Sequence, residues 1–168
     1  MKSTPIVPSD TDGLTYRIGE SGDVVRFDQS ALQTFANYRQ RHWWQTEAGG
    51  QLFAEFNELG SRVVTATEPT RWDQRFRRGF RPHRPSEQGA IDAHFHQGLH
   101  FIGDWHTHAE HYPLPSAEDV TSINECVRLS KHQLNGFLLV IVGQADFPQG
   151  LFVGFADGYQ VHRLSPHA

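Results

Sequence analysis

Hydrophobic and polar residues alternate along two short stretches near the start of the chain, residues 14–18 and 23–27. Glycines bound the short segment between them. Alternation with a period of two is typical of a strand that buries one face. The pattern therefore predicts a β-hairpin as the first element of the fold.

The period then changes to that of a helix, because Leu32 and Phe35 fall on one helical face. Ser30 is the expected N-cap, since a serine hydroxyl can accept a hydrogen bond from a free amide of the first turn. We predict a helix from this cap to about residue 41 and expect the glycines at 49 and 50 to end it.

The same two periods continue through the rest of the chain. Ser86 is the expected cap of a helix that runs to about residue 99 and turns Ile91 and Phe95 inward, and Ser116 is expected to begin another helix. Strands are predicted at residues 51–57, 62–67, 100–105, 137–142, 150–155 and 159–164. Helices interleaved with hairpins indicate an α/β fold of the α+β type, in which helices sandwich one mixed β-sheet.

The 168 residues are enough for one domain with a full core. We place this domain at residues 13–168, because residues 1–12 form a polar, proline-containing stretch that we expect to be a flexible tail. Residues 69–85 contain six arginines and three prolines without a clear period. We predict an arginine-rich insertion loop there, and loops of this length are usually functional.

Composition narrows the classes of function. A net charge of -4 gives no indication of nucleic-acid binding, and no apolar run is long enough to cross a membrane. A single cysteine, Cys126, excludes an intrachain disulfide and fits a reducing compartment. We therefore expect a cytoplasmic protein and assign Cys126 no role.

The segment with the clearest chemistry contains two histidines, a serine and an aspartate. His106 and His108 are separated by one residue at the end of a predicted strand, so both side chains point to the same side. Asp119 follows one turn into the helix that begins at Ser116. Two imidazoles and one carboxylate are the three protein ligands of many catalytic zinc sites.

Other interpretations of the same residues remain open. Ser116 and the acid three residues later also form a helix-capping pair, which is compatible with a metal site. A rival set of ligands is formed by Asp92, His96 and His100, which share one face of the preceding predicted helix. A solvated polar helix face with His100 at its end is the favoured interpretation of that set.

Residues 103–108 (GDWHTH) and 115–119 (PSAED) resemble the JAMM motif of the MPN+ metalloproteases, most closely in their prokaryotic JAB-domain branch. Residues 47–53 (EAGGQLF) fit the upstream glutamate element of that family. The resemblance covers about residues 30–145. It implies a single MPN/JAB-like domain with a cytidine-deaminase-like architecture.

The resemblance also implies a role for each matching residue. His106, His108 and Asp119 would bind one zinc ion. Glu47 would act as the general base, and Ser116 would donate a hydrogen bond to the oxyanion of the tetrahedral intermediate.

Two other glutamates, Glu55 and Glu58, compete with Glu47 for the role of the base, although an ion pair or an exposed position explains Glu55 as well. The chain departs from the family pattern at Ala109, where proline is common, and at Ala54, where glycine is common. Neither departure removes a ligand or a proton carrier.

The activity implied by the resemblance is zinc-dependent hydrolysis of a peptide or isopeptide bond at the C-terminus of a ubiquitin-like protein. The implied partners are the conjugated protein and bacterial homologues of ubiquitin-activating or ubiquitin-conjugating enzymes, with no nucleic acid and no membrane. One such setting is CBASS anti-phage defence, where the conjugate is a cGAS-like nucleotidyltransferase. The alternatives are a catalytically silent MPN scaffold and a metal hydrolase of small amides.

Substrate contacts are expected beside the zinc segment. Arg75 and Arg77 of the arginine-rich loop, together with Trp105 of the motif, are the candidate substrate-binding residues. A solvated basic loop with aromatic anchors is the alternative interpretation of the two arginines.

Overall fold

A computed structural model describes residues 13–167 of the chain. The predicted flexible tail, residues 1–12, lies outside this range. Thirteen elements follow in the described part. The helices are α1 (Gln29–Tyr38), α2 (Arg84–Phe95) and α3 (Ala117–Leu129). The strands are β1 (Leu14–Ile18), β2 (Asp23–Phe27), β3 (Gly49–Asn57), β4 (Gly60–Ala66), β5 (Gln74–Phe76), β6 (Gly79–Arg81), β7 (His100–Thr107), β8 (Phe137–Val142), β9 (Leu151–Ala156) and β10 (Val161–Arg163).

Eight of the strands form one mixed sheet in the order β1-β2-β4-β3-β7-β8-β9-β10. The pairs β2–β4 and β7–β8 are parallel, and the other neighbours are antiparallel. All six residues of β8 are buried, as expected for a central strand that is covered on both faces. The predicted α+β fold with one mixed sheet is confirmed.

Helices cover both faces of this sheet. Leu32 and Phe35 of α1 pack into a cluster that includes Trp105 and Val140 on one face. Ile123 of α3 packs on the other face against a second cluster. The sheet is therefore sandwiched between helices, and the centre of the sheet, where β3, β7 and β8 run side by side, lies deep in the domain.

The end of the first predicted helix differs from the expectation. The helix ends at Tyr38, and Gly49 and Gly50 begin β3 instead of ending a helix. A side chain at Gly50 would place its Cβ 2.1 Å from the carbonyl oxygen of Thr67, so glycine is needed for close strand packing here. Ser30 is also not the cap, because Asp28 occupies that position and the Ser30 hydroxyl donates to the carbonyl of Val64.

Helix α2 differs from its prediction as well. It begins two residues before Ser86, with a proline in its first turn, which is a favoured place for proline. The predicted inward face is not buried, and Phe95 is 63% exposed. The helix instead contacts the sheet through His94, whose ring stacks on Phe53 at 3.9 Å between centroids.

The segment predicted as an arginine-rich loop is partly ordered into a small hairpin. Strands β5 and β6 pair with each other in a separate two-stranded sheet. The segment lies between β4 and α2, as an insertion would. Its sequence lacks a clear alternation because three-residue strands are too short to show one.

Within residues 13–167, none of the helices is long and apolar enough to cross a membrane.

Candidate active site

Two histidines converge with one aspartate where β7 ends and α3 begins. The Nε2 atoms of His106 and His108 lie 3.1 Å apart. The Asp119 carboxylate places Oδ1 3.2 Å from His106 Nε2 and Oδ2 3.3 Å from His108 Nε2. The three side chains that the spacing predicted as ligands therefore meet at one point.

This convergence fits a tetrahedral metal site. Ligand atoms about 2.0 Å from a zinc ion are separated by about 3.3 Å along the edge of a tetrahedron. The two histidine nitrogens, 3.1 Å apart, are close to that edge, and each lies 3.2 to 3.3 Å from one of the two Asp119 oxygens. Two imidazole nitrogens and a carboxylate oxygen are also a donor set that zinc accepts, and a fourth position would stay open.

The rival set of ligands does not assemble. Among the described residues, His106, His108 and Asp119 form the one group of three or more such side chains that is close enough to hold a metal ion. Asp92 accepts a hydrogen bond from Gln88 on its own helix, and His100 begins β7.

The Ser116 cap and the metal-ligand geometry coexist, as the sequence allowed. The Ser116 hydroxyl oxygen accepts a hydrogen bond from the backbone N–H of Asp119 at 3.1 Å. The Ser116 backbone N–H donates to Asp119 Oδ2 at 2.8 Å. This capping box fixes the carboxylate against the histidines, and the hydroxyl keeps its proton for donation to another group.

Asp119 and His108 shift each other's pKa values. Burial alone would raise the pKa of Asp119, but hydrogen bonds from His106 and His108 outweigh it and hold that pKa well below its usual range. Burial alone would lower the pKa of His108, but the hydrogen bond and the charge of Asp119 raise it. A carboxylate that stays ionised beside two imidazoles attracts a cation to this position.

The candidate base, Glu47, lines the same cavity as the metal-ligand cluster. This cavity has a volume of about 980 Å³, and Glu47, His106, His108, Ser116 and Asp119 all line it. Glu47 is only 8% exposed. Burial raises its pKa to about 7, with the charge of His108 opposing and that of Asp119 adding to the shift. A carboxyl with such a pKa can both take and release a proton near neutral pH.

The two competing glutamates lie elsewhere. Glu55 sits near the far end of β3 and forms an ion pair with Arg62 at 2.9 Å. Glu58 lies in the turn between β3 and β4, and its side chain is exposed. Neither lines the cavity.

The three residues predicted to bind substrate lie in three different environments. Trp105 is 1% exposed, and its indole N–H donates to the carbonyl of Thr67, so its side chain packs in the core. Alternation along β7 explains this, because Trp105 points to the face opposite His106. Arg77 lines the cavity beside the exposed Trp43. Arg75 instead donates through Nε to the backbone carbonyl of Glu47 at 2.8 Å.

Two features of the site were not predicted from the sequence. Gln40 and Thr107 form a buried hydrogen bond behind the histidines, and no local pattern points to Gln40. Asp104 lines the cavity on the same face of β7 as His106, which the two-residue spacing could have indicated.

Asp104 is a carboxyl held in an unfavourable place. Its Oδ1 is buried and has no hydrogen-bond partner among the described residues. Burial raises the pKa of Asp104 to about 7, the charge of Glu87 adds to the shift, and Arg84 opposes it. In the unfolded chain the pKa returns to 3.8, so the folded state is penalised as the pH rises from about 4 to about 7.

We therefore expect Asp104→Asn to stabilise the metal-free protein at pH 8. At 1.36 kcal/mol per pKa unit, the free energy of unfolding can rise by at most about 4 kcal/mol. Burying the asparagine amide costs part of this gain, so we expect a net increase of roughly 2 kcal/mol. The gain should fall to well under half at pH 5, as measured by urea unfolding. The exposed carboxylate of Asp146 gives the control Asp146→Asn, which should show no such pH dependence. An equal gain for Asp104→Asn at both pH values would contradict this account.

A mixed sheet between helices, with a His-His-Asp cluster and a buried glutamate in one cavity, is the arrangement of a candidate metal-dependent hydrolase. A family model described as prokaryotic homologs of the JAB domain matches residues 28–152. The chain belongs to this family.

Several bacteria contain proteins that are similar in sequence to this chain. A CD-NTase/cGAS isopeptidase of Pseudomonas aeruginosa (strain BWHPSA011 / Pa011) is 32% identical over 133 residues, which is 77% of this chain and 84% of the relative. A protein of the same name from Vibrio cholerae serotype O1 is 32% identical over 76% of this chain and 81% of its own length. A third, from Escherichia coli (strain TW11681), is 36% identical over 51% of this chain and 57% of its own length.

A solved structure agrees on the fold. Protein DSY2949 from Desulfitobacterium hafniense superposes with a TM-score of 0.57, and the match covers 82% of this chain and 87% of that chain. Its sequence identity is 20%, so this likeness shows the fold alone.

Proposed function

We propose that this protein is a zinc-dependent isopeptidase that removes a conjugated protein from its target. The observation that carries the proposal is the convergence of His106, His108 and Asp119 in one cavity with the buried Glu47. The names of the relatives, which are isopeptidases, support the same reaction class.

The proposed cofactor is one Zn²⁺ held by the two histidines and the aspartate. A zinc ion bound in such a site would act as a Lewis acid and would lower the pKa of its bound water toward about 7. The chain's own residues supply the remaining functions. Asp119 stays ionised and is fixed by the cap of α3, so it holds its geometry before any ion arrives.

Proton transfer is assigned to Glu47. Its carboxylate would accept the proton of the attacking water and return it to the amine that leaves when the amide bond breaks. The raised pKa suits both steps, because a base of ordinary pKa near 4.5 would release the proton too readily to hold it. Ser116 would donate its hydroxyl proton to the oxygen that becomes negative at the reacting carbonyl.

The proposed substrate follows the relatives. It is a cGAS-like nucleotidyltransferase whose C-terminus has been joined to another protein by a homologue of ubiquitin-activating and ubiquitin-conjugating enzymes, as in CBASS. A ubiquitin-like protein of a bacterial operon is the second candidate of the same chemistry. Both place the proposed reaction in the cytoplasm.

The proposal is tested with purified protein and three substrates. These are a conjugate of the nucleotidyltransferase through its C-terminus, a short peptide with the same tail, and a small amide. We expect cleavage of the conjugate, loss of cleavage with 1,10-phenanthroline, return of cleavage with stoichiometric Zn²⁺, and about one zinc per chain by elemental analysis. Zinc binding without any cleavage would favour the silent scaffold, and turnover of the small amide alone would favour a metabolite hydrolase.

Substrate docking is assigned to Arg77. Its guanidinium lies 5.4 Å from the ring centre of Trp43, which is 73% exposed, and Arg77 itself lines the cavity. Arg77→Ala should lower kcat/KM for the protein conjugate roughly 5-fold and for the short peptide less than 2-fold, because rim contacts contribute on the order of 1 kcal/mol. Arg71→Ala removes the same charge from the same segment and should change neither value. Equal losses on both substrates for Arg77→Ala would argue against docking.

A further inference from the structure

The hairpin formed by β5 and β6 is bonded to the main chain of Glu47 on both sides. The backbone N–H of Glu47 donates to the carbonyl of Phe76 at 2.7 Å. The backbone carbonyl of Glu47 accepts from Nε of Arg75 at 2.8 Å. With both main-chain groups held by one hairpin, the peptide planes around Glu47 cannot rotate without breaking a bond.

The next residue is bonded to the segment that carries the histidines. The backbone N–H of Ala48 donates to the hydroxyl oxygen of Thr107 at 3.0 Å, and the backbone N–H of Thr107 donates to the carbonyl of Ala48 at 2.8 Å. Thr107 lies between His106 and His108. The hydrogen bonds between Ala48 and Thr107 therefore fix the position of Glu47 relative to the two histidines.

Gln40 links the hairpin to the hydrogen-bonded residues Ala48 and Thr107. Its carboxamide oxygen accepts from the Thr107 hydroxyl at 2.9 Å. Its carboxamide nitrogen donates to the backbone carbonyls of Arg77 and Gln45, each at 3.3 Å. Gln40 is 1% exposed and Thr107 is fully buried, so the Gln40 carboxamide and the Thr107 hydroxyl would be left unpaired away from water if the network opened.

The hairpin also rests directly on the start of β3. A Cβ built on Gly49 would lie 2.7 Å from the ring of Phe80 in β6. A glycine at this position lets the aromatic ring pack directly against the strand, two residues after Glu47. The hairpin is thus seated by packing as well as by hydrogen bonds.

We propose that Arg75 and Gln40 are positioning residues, which hold the main chain of Glu47 at a fixed place relative to His106 and His108. The proposal rests on the proposed function only where Glu47 acts as the base. It assigns Arg75 to the enzyme's own framework, although the sequence had suggested a contact with the substrate.

The kinetic test separates positioning from docking. Arg75→Ala should lower kcat roughly 10-fold on the short peptide and on the conjugate alike, with KM within 2-fold and zinc content unchanged, because a displaced base acts poorly on any substrate. Arg75→Lys keeps a donor and should recover part of the loss. Arg71→Ala is the matched control, since its guanidinium lies over Trp72 at 4.5 Å, away from Glu47. A rise in KM with kcat unchanged would overturn the proposal.

A second measurement does not depend on activity. Amide hydrogen exchange at Glu47 and Ala48 should be at least about 5-fold faster in Arg75→Ala than in the wild-type protein, and unchanged in Arg71→Ala. Gln40→Met, which removes the carboxamide at similar volume, should accelerate exchange at Ala48 and Thr107. Unchanged exchange at Glu47 in Arg75→Ala would overturn the proposal. Arg75 is exposed, so its variant should fold even where the Gln40 variant does not.

Failure of the proposed function would look different. If the wild-type protein cleaved none of the three substrates, the isopeptidase assignment would fall. The exchange comparison would still decide whether Arg75 holds the main chain of Glu47.

Discussion

Glu47→Gln should reduce kcat by about 1000-fold or more while the protein keeps its full zinc content. Glutamine has the size and shape of the buried glutamate but cannot accept a proton, and general acid–base groups contribute roughly 100- to 10,000-fold to rates. Zinc content should not fall, because Glu47 is not among the three side chains whose ligand atoms converge. Stopped-flow or steady-state kinetics on the conjugate measure kcat, and elemental analysis measures the zinc content.

The control for this prediction lies eight positions further along the chain, in β3. Glu55→Gln changes a glutamate that is ion-paired with Arg62 at the surface, and kcat should stay within 2-fold. Full activity of Glu47→Gln would show that another group carries the proton. Loss of zinc from Glu47→Gln would show that the residue shapes the metal site, and the proposed role would be wrong.

His106→Ala should abolish both zinc binding and hydrolysis. The variant leaves His108 and Asp119 as a two-ligand site, and zinc sites in proteins require at least three protein ligands to hold the ion firmly. We expect zinc affinity to fall by at least about 100-fold, since even the partners of ligands contribute 10- to 100-fold. The rise in melting temperature on adding zinc should also disappear, because a ligand stabilises the folded state only as far as it binds.

His96→Ala is the matched control for this prediction. His96 belongs to the rival set of ligands on α2, and its ring takes no part in the cluster at the end of β7. Its zinc content and kcat should equal those of the wild-type protein. Zinc retained by His106→Ala at the wild-type affinity would place the ion elsewhere and would remove the observation on which the proposed function rests.

Several parts of the site were predicted from the sequence because they are local. His106, His108, Ser116 and Asp119 lie in one strand–loop–helix unit, and the distances between them depend on strand alternation and on one helical turn. The capping box at the start of α3 uses only Ser116 and Asp119, so it needs no contact with distant parts of the chain. The resemblance to the JAB family used the same residues, and the family match confirms it.

The side chain of Trp105 packs in the core for a reason that the sequence contained. Alternation along β7 turns Trp105 away from His106, and the core on that side includes Phe35, whose ring centre is 5.3 Å away. Membership of a motif says that a residue lies near the site along the chain. It does not say that its side chain faces the site, which the period of the strand decides.

Local patterns predicted the candidate ligands, the cap and most of the strands, because each depends on neighbours that are close in the chain. The position of Glu47 depends instead on contacts between distant segments. Gly49 pairs with His106, which is 57 positions later in the chain. Arg75 of β5 bonds to Glu47, and Gln40, which follows α1, bonds to Gln45 and Thr107. Such contacts depend on the pairing of distant strands, for which the local pattern of hydrophobic and polar residues carries no unique signal.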